Sequence, residues 1–339
     1  MAGDWQTVRL GDVADVNWGD TSTTKASYID EGVTAFSATG PDGFLPMAQF
    51  DRTGVVVSAI GAQCGRTWLA RGQWSTIKNT LRFWSIDPEV DTEFLYWATR
   101  EPSTWPRRGS AQPFISQGDA RNVRVALPPL PEQRRIAHIL GTLDDKIELN
   151  RRMNETLEEM AHAFFKSWFV DFEPVRAKAE GRDPGLPPHL ADLFPDRLVD
   201  SELGEIPEGW EVTELPSLAD VTSGGTPRTS VSEYWGGVIP WFSVVDAPDA
   251  SDVWVTETEK YVTQVGVDSS AASIVPAGST ILSARGTVGK VALVGMPMAF
   301  NQSCYGFVPH SREQVFYTYF AIRELVATLK RNWSACRGV

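Results

Sequence analysis

The sequence predicts an α+β protein built as two similar domains separated by a long coiled-coil-type helix. Three observations predict it. Matching residues recur in the same order near the beginning and end of the chain; a heptad seam runs between the two copies; and inside each copy short β-branched or aromatic runs alternate with Gly, Pro, Asn and Asp turns before one helical stretch.

The first copy, residues 1–130, opens with Trp5, Leu10, Ala14, Asp15 and Val16, which recur at the same spacing as Trp210, Leu215, Ala219, Asp220 and Val221. Further on, VVVSAIGAQCGR at 55–66 matches TILSARGTVGK at 280–290, so that Ser58, Ala59 and Gly61 fall on Ser283, Ala284 and Gly286. Then FLYWATRE at 94–101 matches YTYFAIRE at 317–324 through Tyr96/Tyr319, Ala98/Ala321, Arg100/Arg323 and Glu101/Glu324. Three matches in one order make chance a poor explanation. GVVVSAIG and STILSA read as strands, and helices are expected near 92–101 and 313–330.

Residues 131–173 carry the seam. From Ile136, steps of four and three land on Leu140, Leu143, Ile147, Asn150, Asn154, Leu157, Ala161, Phe164 and Trp168. Pro131 suits a first helical turn, Glu132 favours the positive end of the dipole, and Pro174 is expected to stop the helix. About 40 residues at ~1.5 Å each make a rod of ~60 Å. That is well past the ~10–14 residues of an average helix, which argues against a simple core helix and for a partner helix. The subunit-interface residues expected from it are Ile136, Leu140, Leu143, Ile147, Leu157, Phe164 and Trp168, with Asn150 and Asn154 mid-seam, where polar residues fix register.

A connector at 174–209, rich in Pro, Gly and charge, is expected to be semi-extended. The second copy spans 210–339. Where the first continues through AQPFISQGDARNVRVALPPLPEQRRI into its helix, the second stops at KRNWSACRGV. It is therefore expected to be incomplete, short of roughly its last strand and of a second spacer helix. The seam would then need a neighbour from outside, and a two-fold homodimer of antiparallel helices, with Asn150 and Asn154 near the axis, is the simplest closed arrangement.

With 42% apolar residues and 13 Trp in 339, there is ample material for real cores. Cys64, Cys304 and Cys336 are too few and too scattered for a disulfide framework or zinc cluster, and no apolar signal or membrane-length run occurs, so a cytoplasmic setting is expected. The net charge of −12 argues against a nucleic-acid partner only if it is evenly spread. It is not. More than half the acidic excess lies in the helix and connector, while Arg52–Ile86, Pro102–Gly118 and Ser269–Arg312 contain basic residues and no acid.

Catalytic patterns fail one by one. GTVGK at 286–290 has Ala284 and Val291 where a phosphate loop needs Gly and Ser/Thr. His138, His162, His189 and His310 lack metal-ligand spacing, no Asp/Asn-Pro-Pro-aromatic tetrapeptide of the aminomethyltransferase kind occurs, and Glu259 and Lys260 are adjacent, which breaks a nuclease pattern after Pro248 and Asp249.

LPPLPEQRRIAHILGTLDDKIELN at 127–150, MNETLEEMAHAFFKSWFVDFEPV at 153–175, FPDRLVDSELGEIPEGW at 194–210 and the repeated WxxxxLxxxADV openings resemble the specificity subunit of type I restriction-modification enzymes. The resemblance covers the whole chain. It implies two target-recognition domains that read the halves of a split double-stranded DNA site, with spacer helices setting the gap. It also implies no active site and no cofactor in this chain: methylation and cleavage would belong to modification (methyltransferase) and restriction/translocase subunits, which bind S-adenosylmethionine or ATP. On that reading the candidate DNA contacts are Arg66, Lys78, Arg107, Arg108 and Gln112 in the first domain, and Arg285, Lys290, Asn301, Gln302, Lys330 and Arg331 in the second. An adaptor or decoy chain that binds modification subunits without recognising a complete site is the alternative.

Overall fold

The computed structural model describes residues 5–109, 111–248 and 252–337, those after 332 as backbone, so the side chain of Cys336 lies outside it. At 33% helix and 28% strand the chain is α+β. It divides into two compact units, Met1–Ile147 and Glu148–Val339.

In the first unit β1 (Gln6–Arg9) pairs antiparallel with β10 (Arg124–Leu127), which brings the start of the domain beside the residues that lead into the long helix. Between them lie two sheets. One has the order β2 (Asn17–Trp18), β9 (Thr80–Phe83), β6 (Gly54–Ser58) and β7 (Thr67–Ala70), all antiparallel. The other runs β4 (Gly40–Leu45), β3 (Val33–Ser37), β8 (Gln73–Thr76) and β5 (Phe50–Asp51), with β3 and β8 parallel. The β-branched run of β6 is buried throughout, because it is covered on both faces. Its period of two sorts the residues. Val55 and Val57 join a core with Leu95 of the helix Thr92–Thr99, whereas Val56 packs with Phe36 and Trp74 of the second sheet.

The second unit repeats this plan. After the hairpin β11 (Leu198–Ser201) and β12 (Gly204–Pro207), its first sheet is ordered β13 (Ala219–Ser223), β21 (Cys304–Pro309), β18 (Thr280–Ser283), β19 (Val291–Val294) and β15 (Trp254–Val255). Its second sheet is ordered β16 (Lys260–Val262), β14 (Trp235–Phe242), β20 (Met298–Phe300) and β17 (Ile274–Val275), again with a parallel pair, β14 and β20, at its centre. The sequence repeat places β6 on β18, and their partners correspond: Val55 opposes Phe83, and Thr280 opposes Phe307. Ile281 faces the second sheet as Val56 does, while Leu282 faces Ile322 of the helix Val315–Arg337.

The long helix spans Leu130–Phe169, 40 residues. Gln133, 1% exposed, locks its start: the side-chain amide donates to the carbonyls of Glu89 (3.1 Å) and Pro128 (2.8 Å) and accepts from the amide of Asp91 (2.9 Å). The helix does not run to Pro174. It ends in a turn in which the amides of Val170 and Asp171 both bond the Lys166 carbonyl, after which Phe172 takes a left-handed φ of 55° and Pro174 opens a new short helix, Glu173–Ala179. Proline is as good at a helix's first turn as it is bad inside one, and the aromatic side chains reward the reversal. Phe169, Phe172 and Phe194 surround Trp210 at centroid distances of 5.7 to 6.5 Å.

The connector is likewise more ordered than a semi-extended segment. Besides Glu173–Ala179 it contains the turn Pro188–Ala191 and the β11–β12 hairpin, and Lys178 Nζ ties it together by donating to the carbonyls of Ala191 (2.7 Å) and Phe194 (2.6 Å).

Candidate nucleic-acid interface

In each unit the strand carrying the Ser-Ala repeat runs into a tight hairpin. In the first, the amide of Ser58 bonds the Arg66 carbonyl (2.8 Å) and the amide of Gly65 bonds the Ser58 carbonyl (2.9 Å). In the second, Ser283 bonds Lys290 (2.9 Å) and Gly289 bonds Ser283 (2.8 Å) in the same pattern. Gly61, Gly65, Gly286 and Gly289 all have positive φ, between 74° and 98°, so these turns need glycine where the repeat has it.

Hydrogen bonds join the hairpin Ser58–Arg66 to two neighbouring loops. The amide of Ala59 bonds the Asn79 carbonyl (3.0 Å), beside Lys78; the amide of Gly61 bonds Pro113 (2.9 Å) and that of Ile115 bonds Ala59 (2.8 Å), which draws in the loop carrying Arg107, Arg108 and Gln112. All five expected residues of the first domain, Arg66, Lys78, Arg107, Arg108 and Gln112, therefore lie exposed on one connected rim. They are not equally available. Arg66 donates to Gln63 (3.2 Å) and lies 5.8 Å from the Trp68 ring, whereas Arg108 is tied to Asp119 (2.5 Å), whose carboxyl is held below its ordinary range by Arg108 and then by Ser116. Arg107 lies near enough to oppose the upward push that burial gives the Cys64 thiol.

In the second domain the amide of Ala284 bonds the Ser303 carbonyl (2.8 Å), so Arg285 and Lys290 on the hairpin are linked to the turn carrying Asn301 and Gln302. Asn301 is a turn residue: its side-chain oxygen accepts from the Ser303 amide (3.1 Å), while Gln302 is exposed and meets Thr226. Lys330 reaches the same hairpin, donating to the Gly289 carbonyl (3.3 Å). Arg331 instead bonds Thr328 of its own helix (2.9 Å), and no such link among the described residues brings it to the rim.

Charge alone could not separate rim cations from structural ones. Arg82, from the same acid-free window, pairs with Asp15 (2.6 Å) and lies 4.1 Å from the Trp84 ring, with Arg52 at 4.7 Å from that ring. A polar network was also missed. Asp42 accepts from Lys25 (2.5 Å), Tyr28 (2.8 Å) and Ser37 (2.7 Å) and meets Thr39; burial opposes its ionisation, but these hydrogen bonds outweigh it and hold the carboxyl at about 2. The hydroxyl run in DTSTTKASY points elsewhere, since Ser22 and Thr23 donate to Asp20; only Lys25 and Tyr28 at its end reach Asp42.

The long helix presents a different surface. Ile136 packs against the first core, Leu140 is half-buried, and Trp168 joins the aromatic cluster at Phe194 (6.1 Å). Leu143, Ile147, Leu157 and Phe164 are 52, 50, 55 and 52% exposed. No helix among the described residues is long and apolar enough to cross a membrane.

A family profile described as type I restriction modification DNA specificity domain matches residues 2–159 and 207–336, the two copies of the repeat. The chain belongs to this specificity family. Within it, the type I restriction enzyme HindI specificity subunit of Haemophilus influenzae is 30% identical over 258 residues, 64% of this chain and 55% of that protein. The EcoDI specificity subunit of Escherichia coli is 26% identical over 228 residues, 65% and 50% of the two chains. The chain thus spans about half the length of these relatives. Among solved structures, the S subunit of the type I restriction-modification system from M. genitalium shares the fold, with a TM-score of 0.55 at 16% identity, covering 98% of this chain and 80% of that one. The HindI and EcoDI relatives are named as specificity subunits.

Proposed function

We propose that the chain is a non-catalytic DNA-recognition subunit whose two rims read the two halves of a bipartite duplex site and direct methyltransferase and restriction subunits to it. One observation carries this reading: in a specificity-family chain, the same glycine-dependent hairpin occurs twice, each time ending on an exposed cation, Arg66 and Lys290. Cations there would hold phosphates and set register, while Arg285, Gln112 and Gln302 are placed to reach base edges. S-adenosylmethionine and ATP would be held by the partner subunits. Selection from a random duplex pool, with the chain alone and with its modification subunits, tests it; enrichment of a two-part motif is the expected result, and no enrichment in either arm counts against it.

The exposed stripe on the long helix favours a second role in assembly. Leu143, Ile147, Leu157 and Phe164 would be covered by a modification subunit or by the helix of a second copy. An adaptor without a complete DNA site would assemble and select nothing, which the same experiment distinguishes. Light scattering on the chain alone separates monomer from homodimer.

A further inference from the structure

The Tyr-x-Ala-x-Arg-Glu repeat takes no part in the rims. Both copies of it face the long helix. Arg100 Nη2 donates to Asp144 Oδ1 at 2.8 Å, with its guanidinium 4.6 Å from the Trp97 ring and 5.8 Å from the Tyr96 ring. Arg323 donates to Glu158, with its guanidinium 5.5 Å from Tyr319 and 5.9 Å from Phe320, and the Tyr319 hydroxyl donates to the same carboxylate at 3.2 Å. Arginine, aromatic pair and helix carboxylate recur together, although the residues around them differ. An ion pair at a joint is ordinarily minor packing; a pair rebuilt from the same motif in each copy is a shared device.

Each pair is also a second point of attachment. In the first unit Gln133 is the first, and Asp144 lies three turns farther along the same helical face, ~16 Å away. In the second unit Phe165 stacks on Phe320 at 5.5 Å with His162 beside it meeting Glu324 at 2.6 Å, and Glu158 lies two turns before Phe165, ~10 Å, at the far end of this contact. One point lets a domain pivot on a rod; two fix its angle. We propose that Arg100 and Arg323 are positioning residues that clamp each recognition domain to Asp144 and Glu158, so that the register of these carboxylates on the helix, and not helix length alone, sets the gap accepted between half-sites. The gap component rests on the DNA reading above; the clamp itself does not.

Pulsed electron-electron resonance on the full chain reads the clamp directly, with spin labels carried by ketone amino acids at Gln63 and Lys146 for the first unit, and at Thr287 and Glu159 for the second. Arg100→Ala should broaden the first distance distribution and leave the second unchanged, and Arg323→Ala the reverse; the exchanged pair Arg100→Asp with Asp144→Arg should narrow it again. An unchanged distribution in Arg100→Ala, or a broadening that the exchange does not recover, overturns the proposal. Should Arg100→Ala not fold, Asp144→Asn, made on a half-exposed carboxylate, carries the same expectation. In the DNA arm, duplexes with the selected motif and gaps altered by one base pair should be bound nearly as well as the preferred gap by Arg100→Ala, whereas the parent chain discriminates. Retained discrimination sinks the gap component. If neither chain binds any duplex, the DNA reading has failed while the distance measurement still decides the clamp.

Discussion

Arg66 and Lys290 occupy the same place in two copies of one hairpin, each offering its carbonyl to the amide of the repeat serine, Ser58 at 2.8 Å and Ser283 at 2.9 Å. Their side chains are exposed beyond the sheet, where a duplex backbone can be met without burying a charge in protein. Replacing either with Ala should weaken binding about uniformly across sequences and lower the slope of log affinity against log salt by about 1. A salt titration by fluorescence anisotropy checks it; an unchanged slope would remove that residue from the phosphate contacts.

Leu143→Asp or Leu157→Asp puts a carboxylate on a half-exposed stripe, so the isolated chain should keep its melting temperature. Assembly should suffer instead, because an unpaired carboxylate buried in an interface costs several kcal/mol. Sedimentation of the chain with its modification subunits measures this, and an undiminished complex would mean the stripe is not the seat of assembly.

Thr280 and Thr318 are fully buried with hydroxyls that find no partner among the described residues, where the repeat puts Val55 and Leu95 in the first copy. Thr280→Val and Thr318→Val keep the volume and remove a group whose burial without a hydrogen bond costs ~1–3 kcal/mol. Both should raise the unfolding temperature of the second domain by a few degrees, as calorimetry would register.

Asp42 predicts an acid-labile corner of the first domain. Its folded carboxyl is held at about 2 against an ordinary 3.8 by donors that outweigh burial. The unfolded state therefore takes up its proton first as pH falls, so this contribution is complete above pH ~4 and is lost between there and pH ~2. Asp42→Asn should be less stable than the parent at neutral pH and lose less stability on acidification through that window. Urea midpoints at pH 6, 4 and 3 give the comparison.

How much of this was legible follows from where the signals are local. The hairpins were readable because a left-handed turn demands glycine three residues after Ser58 and after Ser283, and the helix because a heptad repeats the same demand many times. Its end was not: whether Pro174 stops one helix or starts another depends on whether Trp210 is present to receive Phe169 and Phe172. The rim was half legible. Acid-free windows located its cations but could not tell Arg66 from Arg82, since Asp15, which pairs with Arg82, reaches it across the fold. Gln133, which pins the start of the long helix, gave no sign at all, because its partners are backbone groups.

The parallel pairs at the centre of each second sheet carry a kinetic consequence. Ala35 meets Ser75, and Trp241 meets Ala299, so each pairing waits for a long loop to close around it, while the helix Leu130–Phe169 needs only neighbours along the chain. Local helix forms in about a microsecond, and non-local sheets are slower by orders of magnitude. When the whole chain refolds from denaturant, the rod should be dressed last at both ends, exposing Leu143, Ile147 and Leu157 to other chains before either domain has closed.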